Sequence, residues 1–196
     1  MLNILKRTAL ALSLIPAFAM AQPKSEPGTY QIDPMHSKVG FEVPHLVISS
    51  VEGNFKAFEG KIEVAQDFSK SSVSAKIQTD SIDTGVAKRD DHLKSPDFFD
   101  VKKFPAMTFQ STSIKGTPAA FKMTGDLTLH GVKKSVVFEG SYLGAVTDGY
   151  GKRKVAFQAK TKINRKDFGL TWNNVVEAGP VVGDEVTIEL KIQAAK

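Results

Sequence analysis

The side chains able to do chemistry are few, and their spacing narrows what that chemistry is. Four histidines stand at positions 36, 45, 92 and 130, and there is no cysteine. His36 follows Asp33 by three residues, and His92 follows Asp91 directly. Either pair has the donor and acceptor of a general acid–base step, the kind an isomerase or hydrolase uses. Arg89, and Arg165 beside Asn164, carry planar forks that match a phosphate or a carbonyl. Arg89–Asp91 and Arg165–Asp167 are equally readable as ion pairs or turn-capping contacts, because structural pairs imitate functional ones. The histidines lack a compact ligand spacing, so no metal site is expected. No G-x-S-x-G, H-E-x-x-H or P-loop signature is present. The lack of cysteine excludes thiol catalysis, Cys-ligated zinc, iron–sulfur clusters and disulfides, so stability rests on packing. His130, in the tight turn Leu129-His130-Gly131-Val132, reads as a hydrogen-bonded turn histidine.

The elements that must position these groups are strands. Val39, Phe41 and Val43 alternate with Lys38, Gly40 and Glu42. Phe58, Gly60, Ile62 and Val64 share one face, as do Val73, Ala75 and Ile77. The same two-residue period runs through Phe121–Leu129, Val155–Ile163 and Val186–Ile192. With Gly28–Asp33, Ala106–Ile114 and Ser135–Val146 the reading gives eight or nine strands, each apolar on one face only. One-sided strands belong to antiparallel sheets, since buried parallel strands are apolar on both faces. No long amphipathic helix is available to cover a sheet, so the apolar faces must meet one another in a barrel or a sandwich. Val86–Lys94 reads as a short helix, and Ser95-Pro96 as the start of a further helical turn. His45–Val51, after Pro44, is ambiguous.

Residues 1–21 are expected to lie outside the fold. Lys6 and Arg7 precede an apolar run from Thr8 to Phe18, and Ala19-Met20-Ala21 is a small-x-small cleavage site. This is the pattern of a cleavable secretory signal, too short to span a bilayer comfortably, with the mature domain expected at 22–196. Loss of Lys6 and Arg7 leaves 24 basic residues against 21 acidic ones, a net charge of +3. The lysines are dispersed, so no nucleic-acid footprint is seen.

Ten short motifs now stand in order. They begin with Tyr30-Gln31-Ile32-Asp33 and His36-Ser37, then Phe41-Glu42-Val43-Pro44-His45-Leu46, and Gly53-Asn54-Phe55 with Phe58-Glu59-Gly60. Ser81-Ile82-Asp83-Thr84-Gly85, Arg89-Asp90-Asp91-His92-Leu93-Lys94 and Asp97-Phe98-Phe99-Asp100 follow. Phe104-Pro105 with Thr108-Phe109-Gln110-Ser111-Thr112, and Gly125-Asp126-Leu127-Thr128-Leu129-His130-Gly131-Val132, come next. The last are Ile163-Asn164-Arg165-Lys166-Asp167-Phe168-Gly169 and Val182-Gly183-Asp184-Glu185-Val186. From about Tyr30 to Ile192 the chain resembles the YceI-like family of exported, lipocalin-like proteins.

The resemblance implies an all-β fold, an extended eight-stranded antiparallel β-barrel with one or two short helices. It also implies a deep apolar interior that holds a long amphiphile, a polyisoprenoid such as a polyprenyl quinone or phosphate or, in some members, a fatty-acid derivative; with the signal pattern, the expectation is a periplasmic carrier, not an enzyme, with no other cofactor. On that reading Val39, Phe41, Val43, Leu46, Phe58, Ile77 and Leu93 would line the tail site. Phe98, Phe99, Phe109, Phe121, Leu127, Phe157 and Phe168 would complete it, the aromatics near the turns serving as lid or plug. Inward glycines and alanines leave room for a guest, or else mark bulges and corners of a self-filled core. Asp33, His36, His45, Arg89, Asp91, His92, Asn164 and Arg165 are the candidates for a polar collar around the head group. An acid–base enzyme acting on a similar lipid, and a stress-related protein sequestering hydrophobic compounds, are the other readings. Transient membrane contact is expected, and a homodimer is allowed.

Overall fold

Alternating strands and the short helix between them form as the sequence dictates in the computed structural model, which describes residues 24–177 and 179–196. The expected signal segment and Gln22 lie outside the described residues. Strands β1 (Gly28–Ile32), β2 (Lys38–His45), β3 (Ser49–Phe55), β4 (Phe58–Val64), β5 (Ser72–Gln78) and β6 (Ile82–Asp83) precede helix α1 (Ala87–Lys94). After it come β7 (Ala106–Thr117), β8 (Ala120–Leu129), β9 (Val132–Thr147), β10 (Arg153–Asn164), β11 (Val175–Val176), β12 (Gly179–Pro180) and β13 (Glu185–Ala195).

The sheet closes on itself in the order β1-β4-β5-β7-β8-β9-β10-β13, with β13 returning to β1 through Gln31↔Ala195 and Ile32↔Ala194. Every pairing in the ring is antiparallel, giving the closed eight-stranded barrel. The first three staves are each broken in two. Along the other half of β13, β2 replaces β1 from Thr187↔Glu42 to Lys191↔Lys38. Beyond it β3 pairs with β2, and β6 with β3. Each break has a local cause. Between β1 and β2, Pro34 opens a 3-10 turn and the Asp33 side chain accepts the Met35 amide. At the other two breaks, the Lys56 amide donates to Ser81 and the Gln78 amide to Ala57, so both staves bend together.

Two sequence expectations change. Ser95-Pro96 starts a hydrogen-bonded turn rather than a helix, its amides spent on Phe98→Ser95 and Phe99→Leu93 contacts. His45–Val51 is a hairpin: His45 pairs with Ser49 across the loop Leu46–Ile48. That loop holds Leu46 and Val47 at φ 53° and 67°. A β-branched residue in the left-handed region is a real outlier, and it is held there by the Leu46 amide bonding to the Val181 carbonyl.

One end of the barrel is closed by a dry cluster of Tyr30, Ile62, Val64, Tyr142, Val155 and Ala194. Outside it, Arg153 forks onto the Glu26 carboxylate, and the Tyr30 hydroxyl donates to the Glu26 carbonyl at 3.2 Å. The opposite end carries α1, the turn after it, and the segment from Arg165 to Asp184.

Candidate functional site

Between the two ends lies an elongated apolar cavity of about 230 Å³ that opens in part to solvent. Its walls are the inward faces of the strands and present almost nothing polar. Val39, Phe41, Val43, Phe58, Ile77, Phe109, Phe121, Leu127 and Phe157 border it, and Leu93, Phe98 and Phe99 border it near α1.

Glycines do not make this space in the simple way the sequence suggests. A Cβ on Gly125 would strike the Phe109 ring, and one on Gly140 would lie 2.7 Å from Phe121 Cζ. These glycines let two rings lie back against the wall, which keeps the axis clear. On the β10–β13–β2 side the inward residues Ala159, Phe157, Ile188, Leu190 and Val39 are only half-buried, because they face this open lumen.

Two residues expected in the wall stand elsewhere. Leu46 is carried off by its left-handed loop and does not border the space. Phe168, 2% exposed, sits in the 3-10 turn Arg165–Phe168 and plugs the core behind the wall. Its carbonyl meets His130 Nδ1 at 3.3 Å, so His130 is a hydrogen-bonded turn histidine. Leu170 and Val182 border the space from an irregular segment, where no periodicity marks them as inward. Ile188 and Leu190 could have been chosen, since the period of β13 puts them on its apolar face.

The polar candidates do not form one collar. Asp33 and His36 pair at 2.7 Å on the outer wall, where Gln193 Nε2 also donates to Asp33 at 3.0 Å. Burial pushes the Asp33 pKa up, but hydrogen bonds from His36, Gln193 and the Met35 amide outweigh it and hold the carboxyl below its ordinary value. Arg89 donates to the Thr84 hydroxyl at 2.7 Å and to its carbonyl at 2.9 Å, fastening α1 to β6. The buried carboxylate of that helix is Asp90, which accepts from the Thr84 amide and hydroxyl, while Asp91 is exposed. Asn164 caps the Arg165–Phe168 turn by accepting the Lys166 amide.

Arg165 is 4% exposed and borders the space, yet its fork is fully engaged. Nε donates to Gly183, Nη1 to Leu170 and Trp172, and Nη2 to Val182 and to Asp184. Burial draws its pKa down and the Asp184 carboxylate works against that. It staples the irregular segment across the barrel end.

His92 and His45 remain at that end. His92 Nε2 meets Asp97 at 2.9 Å, and its ring stands edge-on to Phe98 and to Trp172, 5.1 Å and 5.0 Å between centroids. Trp172, the one tryptophan, was not singled out by the sequence; its place in a loop gave no periodic signal. His45 shares the face of β2 that carries Val43, and it bridges to Val182. Among the described residues no three His, Asp or Glu side chains come together as a metal-holding group.

An apolar, partly open lumen in an eight-stranded barrel is the arrangement the sequence resemblance implied, and the match to a family model covers it. The model of the YceI-like domain matches residues 30–194. The chain belongs to the YceI-like family. It is 37% identical over 170 residues to Protein YceI of Salmonella newport, covering 85% of this chain and 86% of that one. The YCEI protein of Campylobacter jejuni superposes with a TM-score of 0.68 at 28% identity, over 96% of this chain and 99% of the other. A polyisoprenoid binding domain from Saccharophagus degradans shares the fold, with a TM-score of 0.59 at 17% identity, over 84% and 97% of the two chains.

Proposed function

We propose that this YceI-like barrel is a carrier that holds the tail of one long isoprenoid amphiphile, of the polyprenyl quinone or polyprenyl phosphate type, in its lumen. The observation that carries the reading is the apolar, partly open lumen itself, which the half-buried side chains of β10, β13 and β2 line. The polyisoprenoid binding domain with the same fold agrees with it. The leader-like residues 1–21 support periplasmic residence, where such lipids are exchanged with a membrane.

The energetics favour a carrier over a sink. Each methylene withdrawn from water contributes about 0.8 kcal/mol. A long tail would by that count pass the practical ceiling of about 20 kcal/mol. Its true alternative is a bilayer, where most of that gain is already realised, so retention is set by fit and exchange stays feasible. No chemistry is needed. The His36–Asp33 pair lies on the outer wall, and His92–Asp97 is exposed at the barrel end, with only the His92 ring edge-on to Phe98 and Trp172. The head group would then meet the end bearing His45, His92 and Trp172.

Thermal melting of the mature protein with added polyprenyl phosphate and polyprenyl quinone tests the proposal. A ligand that binds only the folded state raises the melting temperature with concentration, by about 2.7 kcal/mol of stability at a hundredfold excess over Kd. No shift with either class would overturn it.

A further inference from the structure

We infer that Phe157 is the ruler of the lumen, the residue that sets how long a tail it accepts; this rests on the carrier reading. Descending one face of β10, the side chains pass from open to packed within three positions. Ala159 is half-buried and borders the empty space, Phe157 borders it too, and Val155 is 1% exposed and does not. Phe157 packs against both apolar clusters, the large one around the lumen and the small one that closes the end. Its ring centroid lies 6.5 Å from that of Phe121 and 5.2 Å from that of Tyr142. Phe121 in turn meets Phe68 at 5.4 Å, so three rings lie across the bottom of the space.

What is beneath cannot give way. Tyr30 and Tyr142 are 0% and 3% exposed, and the Tyr30 hydroxyl is tied to the Glu26 carbonyl. Of that packed end only Ile62 and Val64 reach the space, so a descending tail meets the Phe157 ring before it meets the closed end. Of the three rings, Phe157 alone belongs to β10 and adjoins the half-buried side of the lumen, where displaced volume becomes space for the guest. Removing a phenyl group removes bulk comparable to one isoprene unit, so the accepted length moves in single steps.

The test is a competition. The wild type, Phe157→Ala and Phe157→Leu are each equilibrated with an equimolar ladder of polyprenyl alcohols, from farnesol upward in steps of one isoprene unit. The retained species are read by mass spectrometry after gel filtration, and melting curves show that each variant is folded. The ruler predicts that the most retained length rises by at least one isoprene unit in Phe157→Ala, and that Phe157→Leu broadens the distribution towards longer members. An unchanged length maximum in folded Phe157→Ala would overturn the ruler while leaving the carrier reading intact. A wild type that retains no member of the ladder would overturn both.

Discussion

On the β7–β8–β9 wall Leu127 is 7% exposed and Phe138 4%, while across the lumen Leu190, Phe157 and Phe41 are half-buried although they also point inward. Both walls were built by the same period-two alternation and from the same residue types. The difference lies in what each side chain rests on. Phe109 stands edge-on to Phe138 at 5.4 Å, and Gly125 and Gly140 let the rings of Phe109 and Phe121 settle against the sheet. On the β10–β13–β2 wall the Phe41 ring is likewise seated over Gly53 and lies 5.9 Å from the Phe55 ring, but Ala159 and Val39 are small and reach less far into the lumen. One wall packs as a core; the other lines the partly open apolar space.

The comparison is sharpest for one substitution made on both walls. Leu127→Ala should cost about 2–5 kcal/mol, the range for a buried leucine that leaves a cavity. Leu190→Ala should cost about 1 kcal/mol, since its side chain already faces empty space, and should lower amphiphile retention instead. Urea unfolding of the two variants checks this, and equal losses would break the distinction between the walls. The opposite change should invert the order. Gly125→Ala drives a methyl group into the Phe109 ring and within 2.7 Å of the Gln110 carbonyl, for a loss of about 1–3 kcal/mol. Ala159→Phe enlarges a side chain where space exists, so it should change stability by no more than about 1 kcal/mol while displacing bound lipid.

A smaller effect probes the closed end. The hydrogen bond from Arg153 to Glu26, against a weaker burial penalty and with the Arg153 and Lys196 charges adding to it, holds the Glu26 carboxyl below its ordinary value. Its folded pKa is depressed, so its contribution is fully present above the unfolded carboxylate pKa and is lost as pH falls through the lower folded value. Melting curves of the wild type and Glu26→Gln should therefore lie apart near neutrality and converge in acid. Curves that stay parallel down to the lowest pH at which both fold would remove the pair from the account. The smallest effect is at the opposite end, where Val47 sits at φ 67°. Val47→Asn, a residue that tolerates this conformation, should raise stability by about 1 kcal/mol, and a lower melting temperature would show the loop to be unstrained.

Much of this was legible in the sequence, and the reason is periodicity. The alternation of β8, β10 and β13 fixed which side chains face inward, and helix α1 stood out by breaking it. Leu46 shows where alternation misleads: it carries the apolar register past the end of β2, but a left-handed loop turns it away. Phe168 was readable as apolar and near a turn, yet nothing in its neighbours distinguished a plug from a wall. The polar candidates failed to converge for a related reason. Sequence proximity suggested that Arg89 would meet Asp91, whereas the fork reaches back to Thr84 and the buried carboxylate is Asp90. The sequence reading places Arg165 in the head-group collar, whereas its fork serves four backbone carbonyls and the Asp184 carboxylate, acceptors that only the folded chain brings together. Whether inward residues meet one another or empty space is a property of barrel girth and stagger, which no local pattern encodes.

Native mass spectrometry of the mature protein purified without detergent tests the central claim most directly. An unfilled wall predicts a folded barrel carrying about one long-chain isoprenoid per chain, released and identified on denaturation. A folded protein that carries nothing, and takes up neither polyprenyl phosphate nor polyprenyl quinone when they are added, would contradict it.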